Sequence, residues 1–127
     1  GFPLQQAEID GEWRPDPATN DDQALAVHVR EKGLVVIAGC SHSGIVNIVR
    51  YARALTGVET LYAVIGGFHL GGQLFEGIIT ETIKELESVA PSVIVPTHCT
   101  GWKAIHAIAA AMPDAFIPNS VGTVYRL

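Results

Sequence analysis

Three times this chain runs a β-rich apolar segment directly into a loop of small residues that carries a histidine. Residues 34–38 (LVVIA) lead into Gly39-Cys40-Ser41-His42-Ser43-Gly44, residues 60–66 (TLYAVIG) into Gly67-Phe68-His69, and residues 92–96 (SVIVP) into Thr97-His98-Cys99. Runs without polar interruption mark strands buried on both faces. Helical spacing follows each loop. Ile45, Ile48, Val49, Ala52 and Leu55 share one face after the first, and Ile78, Ile79, Ile83, Leu86 and Val89 share one in a helix over 74–89. A third helix is predicted from Trp102 to Ala111, ended near Pro113. Strands alternating with helices require a mostly parallel sheet with right-handed crossovers, and ligands of such sheets sit beyond the carboxyl ends of the strands. His42 follows Gly39 by three residues, His69 follows Gly66 by three, and His98 follows Pro96 by two. All three imidazoles are therefore expected at one sheet edge.

Upstream, residues 24–30 read as a further strand joined to 34–38 by a short hairpin at Glu31-Lys32-Gly33. Leu25, Val27 and Val29 would form its buried face and Ala26, His28 and Arg30 the wetter one, so His28 is a surface or interface side chain. Residues 1–22 are rich in Pro, Asp, Asn and Gln, and Phe2, Leu4, Ile9 and Trp13 are irregularly spaced. They read as an arm or connector, with residues 23–127 forming the domain. Residues 115–118 and 123–127 read as two last short strands or extended pieces. A chain of 127 residues supports one core. The formal charge of −5 argues against a nucleic-acid or anionic-membrane surface. No apolar run approaches the roughly 20 residues that cross a bilayer, and the opening residues lack the pattern of a signal peptide, so a cytoplasmic location is expected. Cys40 and Cys99 each stand beside a histidine just past a strand, which favours reduced thiols near a site over a structural disulfide.

Imidazole and thiolate are preferred ligands of zinc and similar metals, and three histidines on one edge can leave a coordination position open for water. Such an ion lowers the pKa of its water toward about 7 and polarises the bond to be broken. The plainer alternative is that each histidine caps a strand or helix by hydrogen bonding. His106, inside an apolar helix, reads as a packing or surface residue. Gly44, Gly66, Gly67, Gly71, Gly72 and Gly101 allow backbone to approach a ligand closely, or simply make tight turns. Ser41 and Ser43 stand where a helix N-terminus would meet an anion such as phosphate, or would be capped. Cys40 could act as a nucleophile beside His42 only if a base were held in geometry, which the sequence does not fix. Cys99 reads equally as a ligand, as a residue behind a ligand, or as packing.

The segments GLVVIAGCSHSGIVNIVRYARALTG, LYAVIGGFHL and SVIVPTHCTGWKAI, in that order, resemble the C-terminal half of the metallo-β-lactamase superfamily. The nearest branch looks like that of 7,8-dihydropterin-6-methyl-4-(β-D-ribofuranosyl)aminobenzene-5′-phosphate synthases and metal-dependent hydrolases. The resemblance spans residues 20–127. It implies an α/β fold, half of an αββα sandwich, in which a mixed, mostly parallel sheet carries helices on one face. It implies that His98, in PTHC, closes a metal site, that His42 is another ligand, and that His69 contacts metal or substrate. Cys40, Ser41, Ser43, Cys99 and Gly67 would contact substrate or support the ligands. A complete site would take zinc, manganese or iron, whereas no ion is firmly expected in this chain alone. The superfamily's main metal motif, His-x-His-x-Asp-His, does not occur in these 127 residues. The chain is thus expected to be a piece of a longer protein, a subunit completed by a partner, or a natural half-domain without catalysis. Two functions follow: the C-terminal half of a metal-dependent hydrolase, inactive by itself, or a non-catalytic half-domain that binds a partner or small ligand. In either case a homodimer, or the missing N-terminal half, is expected on the open sheet face, with no nucleic-acid or membrane partner.

Overall fold

The computed structural model describes residues 6–127. Strands β1 (Gln6–Ile9) and β2 (Glu12–Pro15) form an antiparallel hairpin. No element is expected there from apolar spacing, but Asp10 and Gly11 supply the turn: both have positive φ (54° and 81°), the primed geometry whose twist matches a two-residue hairpin loop. The start of the expected arm, Phe2 and Leu4 included, lies outside the described residues. From Asp16 to Asp22 the chain winds tightly. The Asp16 carboxylate accepts hydrogen bonds from the Asn20 amide and side chain, each at 2.9 Å, and the Asp22 amide donates to the Thr19 carbonyl at 3.0 Å.

The main sheet contains β3 (Ala24–Val29), β4 (Gly33–Ala38), β5 (Leu61–Gly66) and β6 (Val93–Pro96), in that spatial order. β3 is antiparallel to β4, and β4, β5 and β6 are mutually parallel. This is the mixed, mostly parallel sheet that the strand–helix alternation predicts. Helix α1 (Ile45–Thr56) crosses from β4 to β5, α2 (Gln73–Glu76) and α3 (Ile79–Val89) from β5 to β6, and α4 (Trp102–Ala111) follows β6. One rank across the sheet, Val36, Val64 and Ile94, is fully buried and packs with Ile45, Val49, Leu86 and Ile108 of the helices. The core therefore lies between the sheet and one helical layer.

Three expectations need correction. Leu25 and Val27 face a side of the sheet that no helix covers, and they are 58% and 39% exposed, as is Ile37 at 41%. The predicted helix over 74–89 breaks at Gly77, a weak helix former, and restarts at Ile79, which leaves Ile78 exposed instead of buried. Leu55 is exposed too, where it borders an open groove between β3 and α1 that is also lined by Gln23, Ala24 and Ala26. At the C-terminal end, residues 115–117 bridge β6 through Ile94 N to the Ala115 carbonyl (2.8 Å) and Ile117 N to the Ile94 carbonyl (3.0 Å), while residues 123–127 form no strand. No helix of the described residues is long and apolar enough to cross a membrane.

Candidate functional site

Because β4, β5 and β6 run parallel, the loops after Ala38, Gly66 and Pro96 emerge at the same end of the sheet. Backbone hydrogen bonds tie them together: Gly67 N to the Gly39 carbonyl (2.9 Å), Thr97 N to the Gly66 carbonyl (2.8 Å) and Gly71 N to the Cys99 carbonyl (3.2 Å). The buried Thr100 hydroxyl accepts from the Phe68 amide at 3.2 Å. These ties put His42, His69 and His98 on one edge.

Their side chains divide into two groups. The rings of His42 and His69 meet edge to face, with centroids 4.6 Å apart, and the Phe75 ring also meets His69 edge to face at 4.8 Å. His98 turns toward the cysteines. Its Nε2 lies 3.0 Å from Cys40 Sγ and its Nδ1 lies 3.0 Å from the Thr97 hydroxyl. The Cys99 thiol donates to the Cys40 carbonyl at 3.4 Å. The donor atoms of Cys40, His98 and Cys99 all fall within 4.8 Å of one another.

Gly67 packs against two members of this second group, Cys99 and His98. A Cβ there would lie 2.5 Å from Cys99 Sγ and 2.8 Å from His98 Nε2, distances that real side chains do not tolerate. Two non-glycine residues of the loops, Ser41 (φ 59°) and His69 (φ 49°), are held in the left-handed region. Such conformations cost about 1–3 kcal/mol and persist where the surroundings impose them. The Ser41 side chain is buried and its hydroxyl has no hydrogen-bond partner among the described residues.

Asp22 is the site residue that sequence reading misses, because it sits at the end of the supposed connector. The signal was available in the strand pairing. Ala24 is in register with Ala38, so the antiparallel ladder necessarily carries residue 22 alongside the loop that begins at Gly39. The Asp22 carboxylate accepts hydrogen bonds from the Ser43 amide (2.9 Å) and hydroxyl (2.7 Å). Ser43 therefore serves a carboxylate of this chain, and α1, whose N-cap Gly44 has no side-chain cap, already has an anion at its start. Partial burial would raise the Asp22 carboxyl, but the Ser43 hydrogen bonds, the His42 amide and the nearby His42 ring outweigh it and hold the group below its ordinary value. Burial lowers His69, aided by His42 and His98 and opposed by Asp22. Burial raises the Cys99 thiol, against a hydrogen bond from the His69 backbone.

Beside the His42–His69 pair lies a cavity of about 240 Å³, lined among others by Ser43, Asn47, Phe68 and Phe75. On the far side of His98 an open groove of about 690 Å³ runs past Thr97, Trp102, Ile105 and Asn119. His28 and His106 stand apart from both groups, exposed on β3 and α4, with His106 near the Trp102 ring at 5.9 Å. The donors at this edge are imidazoles and thiols, and Cys99 and His98 border a space that a single Cβ would fill; such donors are of the kind a divalent metal requires.

No family model matches the chain. It is similar, at 46% identity over 106 residues, to the 7,8-dihydropterin-6-methyl-4-(beta-D-ribofuranosyl)-aminobenzene-5'-phosphate synthase of Methanocaldococcus jannaschii, covering 84% of this chain and 35% of that protein. A second, uncharacterized protein of the same organism is 35% identical over 105 residues, covering 83% of this chain and 36% of that one. Among solved structures, the fold matches a metal-dependent hydrolase of the beta-lactamase superfamily with a TM-score of 0.84 and 31% identity, over 96% of this chain and 46% of that chain. The chain thus spans about a third of the length of the curated relatives and under half of the solved one.

Proposed function

We propose that this chain, similar in sequence and fold to one segment of a metal-dependent hydrolase of the beta-lactamase superfamily, is the segment of such an enzyme that brings His42, His69 and His98 to the active site. The observation that supports this best is the convergence of three strand-end histidines on one edge, in the fold of a metal-dependent hydrolase. In this reading the rest of the ligand set, including an acidic ligand, comes from a segment with the pattern His-x-His-x-Asp-His. The histidines would hold a divalent ion such as zinc, manganese or iron, which supplies Lewis-acid polarisation of the bond to be cleaved.

The chain's own residues have separable tasks. Burial lowers the His69 pKa and so favours the neutral imidazole, the form that ligates, and Phe75 packs against its ring. Asp22 places negative charge beside His42 and, through Ser43, ties the first loop to the start of β3. The cavity beside the two rings offers both polar and aromatic walls to a small substrate. A second reading, a non-catalytic half-domain that binds a partner, draws support from the exposed apolar residues Leu25, Val27 and Ile37.

The test compares the 127-residue chain alone with the chain joined to a superfamily segment that carries the missing motif. A generic phosphoester or lactam is offered with zinc or manganese. Negligible turnover is expected from the chain alone, and metal-dependent turnover from the completed protein, lost in His42→Ala and His98→Ala. A completed protein whose turnover survives alanine at 42, 69 and 98 would overturn the proposal in favour of the partner-binding reading.

A further inference from the structure

We propose that Cys40 and Cys99 are a redox modification site: a reversible disulfide within the chain, made by exchange with a low-molecular-weight disulfide, that fastens the loop after β4 to the loop after β6. Such a link needs neither a bound metal nor a hydrolytic reaction.

The two cysteines are 59 residues apart in sequence, and their strands are not neighbours, because β5 lies between β4 and β6. The fold nevertheless brings them together. Both thiols are free, their sulfurs lie within 4.8 Å of each other, and the Cys99 thiol reaches across to the Cys40 carbonyl oxygen at 3.4 Å. A disulfide requires Cα atoms within about 7 Å and side chains that turn toward each other. A thiol already touching its partner's main chain is close to the first condition, and rotation about the Cα–Cβ bonds supplies the second.

Gly67 is an independent observation, because it belongs to the intervening strand's loop. Its amide donates to the Gly39 carbonyl at 2.9 Å, and a Cβ there would lie 2.5 Å from Cys99 Sγ. The middle loop thus carries no side chain where the Cys99 sulfur lies against it. Backbone ties hold the three loops in place, including Thr97 N to the Gly66 carbonyl at 2.8 Å, so each thiol is held near the other. Both cysteines are half-buried, which leaves a small disulfide a way in.

The exchange balances in two steps. One cysteine thiolate attacks a sulfur of the small disulfide, whose S–S bond breaks; a mixed disulfide forms and one small thiolate leaves to take up a proton. The second cysteine gives its proton to buffer and attacks the protein sulfur of the mixed disulfide, expelling the other small thiolate. Two protein thiols are oxidised and one small disulfide is reduced to two thiols. Because Cys40 Sγ lies 3.0 Å from His98 Nε2, oxidation also removes a thiol proton from the histidine edge, which would make that edge responsive to redox conditions.

The experiment incubates the reduced 127-residue chain with oxidised glutathione in the presence of EDTA, quenches with acid, and counts products by mass spectrometry of the intact protein and its digest. The internally linked form, with a peptide joining residues 40 and 99, should exceed the glutathione-capped form at least tenfold and revert with dithiothreitol. Cys40→Ser and Cys99→Ser should each stop at the capped form, which shows that each thiol can be reached; far-ultraviolet circular dichroism confirms their folding. The same incubation of the wild-type chain in urea should give at least tenfold less linked product relative to capped. Capped chains that never link, thiols that do not react at all, or links formed only between chains would each overturn the site. Equal linking in urea would overturn it as well, since the fold would then contribute nothing to the pairing.

Discussion

The two faces of the four-stranded sheet are built from equally apolar residues but are covered unequally: the second buries Val35, Ala63 and Val95 and leaves its β3 side exposed. On the helical side, Val36, Val64 and Ile94 stand in one rank and are fully buried under α1, α3 and α4. On the other side, Leu25, Ile37, Ile65 and Val95 stand in one rank, and their exposure runs from 58% at Leu25 through 41% at Ile37 to none at Val95. Apolar composition thus records that a face is meant to be covered, and says nothing of whether the cover lies in the same 127 residues. Contiguous apolar patches larger than a few hundred Å² on folded proteins commonly mark interaction sites.

The largest expected effect separates the two faces directly. Ile94→Ala removes a fully buried side chain between the sheet and the helices, and should cost about 2–5 kcal/mol. Ile37→Ala, on the uncovered side, should change stability by less than about 1 kcal/mol. Urea unfolding of both variants at low protein concentration makes the comparison. Equal losses would mean that the second face is covered in solution.

The same contrast explains what the sequence discloses. Strand–helix alternation specifies the parallel order, and with it the edge on which His42, His69 and His98 meet, because the direction of a parallel strand is dictated by its crossover. Helices α1 and α4 are legible for a similar reason: their periodicity reports burial against a surface that this chain contains. Leu25 and Val27 carry the alternation of a buried strand face, yet the layer that would bury them is not in the described chain. Asp22 was hidden because it is brought to the site by ladder register, not by proximity in sequence. The partition of the three histidines into a ring pair and a thiol group depends on side-chain rotation at the strand ends, which residue spacing does not encode.

The donor edge, where both faces end, should show the next largest effect. Gly67→Ala forces a Cβ against Cys99 Sγ and His98, and overpacking of this kind costs about 1–3 kcal/mol. Gly77→Ala, with open space around its Cβ in the break between α2 and α3, should be neutral or slightly stabilising. Thermal unfolding of the pair distinguishes a steric demand at the site from a general intolerance of replacing glycine. A Gly67→Ala chain as stable as the Gly77→Ala chain would show that the loops relax around the new methyl.

A smaller effect is expected on association. If the uncovered face pairs with a second copy, Ile37→Lys should weaken self-association at least tenfold, about 1.4 kcal/mol, with little change in the stability of each copy. Sedimentation equilibrium reads both states. A wild-type chain that stays monomeric at micromolar concentration would leave the face to a different partner.

The smallest effect concerns how the least covered strand is held. β3 is the sheet's outer strand on the exposed side, and Asp22, just before it, ties that end to the first helix through Ser43. Since the folded-state pKa of Asp22 is lowered, the native chain binds fewer protons there than the unfolded one, and stability rises with pH. That contribution is full above the unfolded value of about 3.9 and fades as pH falls through the lower folded value. His69 is also lowered, so its contribution has the same sign but fades earlier, beginning below its unfolded value of about 6.5. Asp22→Asn should therefore lose no more than about 1 kcal/mol near neutrality, the usual worth of an anion at a helix start, and should flatten the stability profile below about pH 4. It should also lower the His69 pKa further, because the Asp22 carboxylate raises it. Urea midpoints from neutral to acidic pH, with His69 followed by NMR, test both parts. A His69 titration unmoved by Asp22→Asn would mean that the carboxylate acts only as the tether of β3 and contributes nothing to the charge of the site.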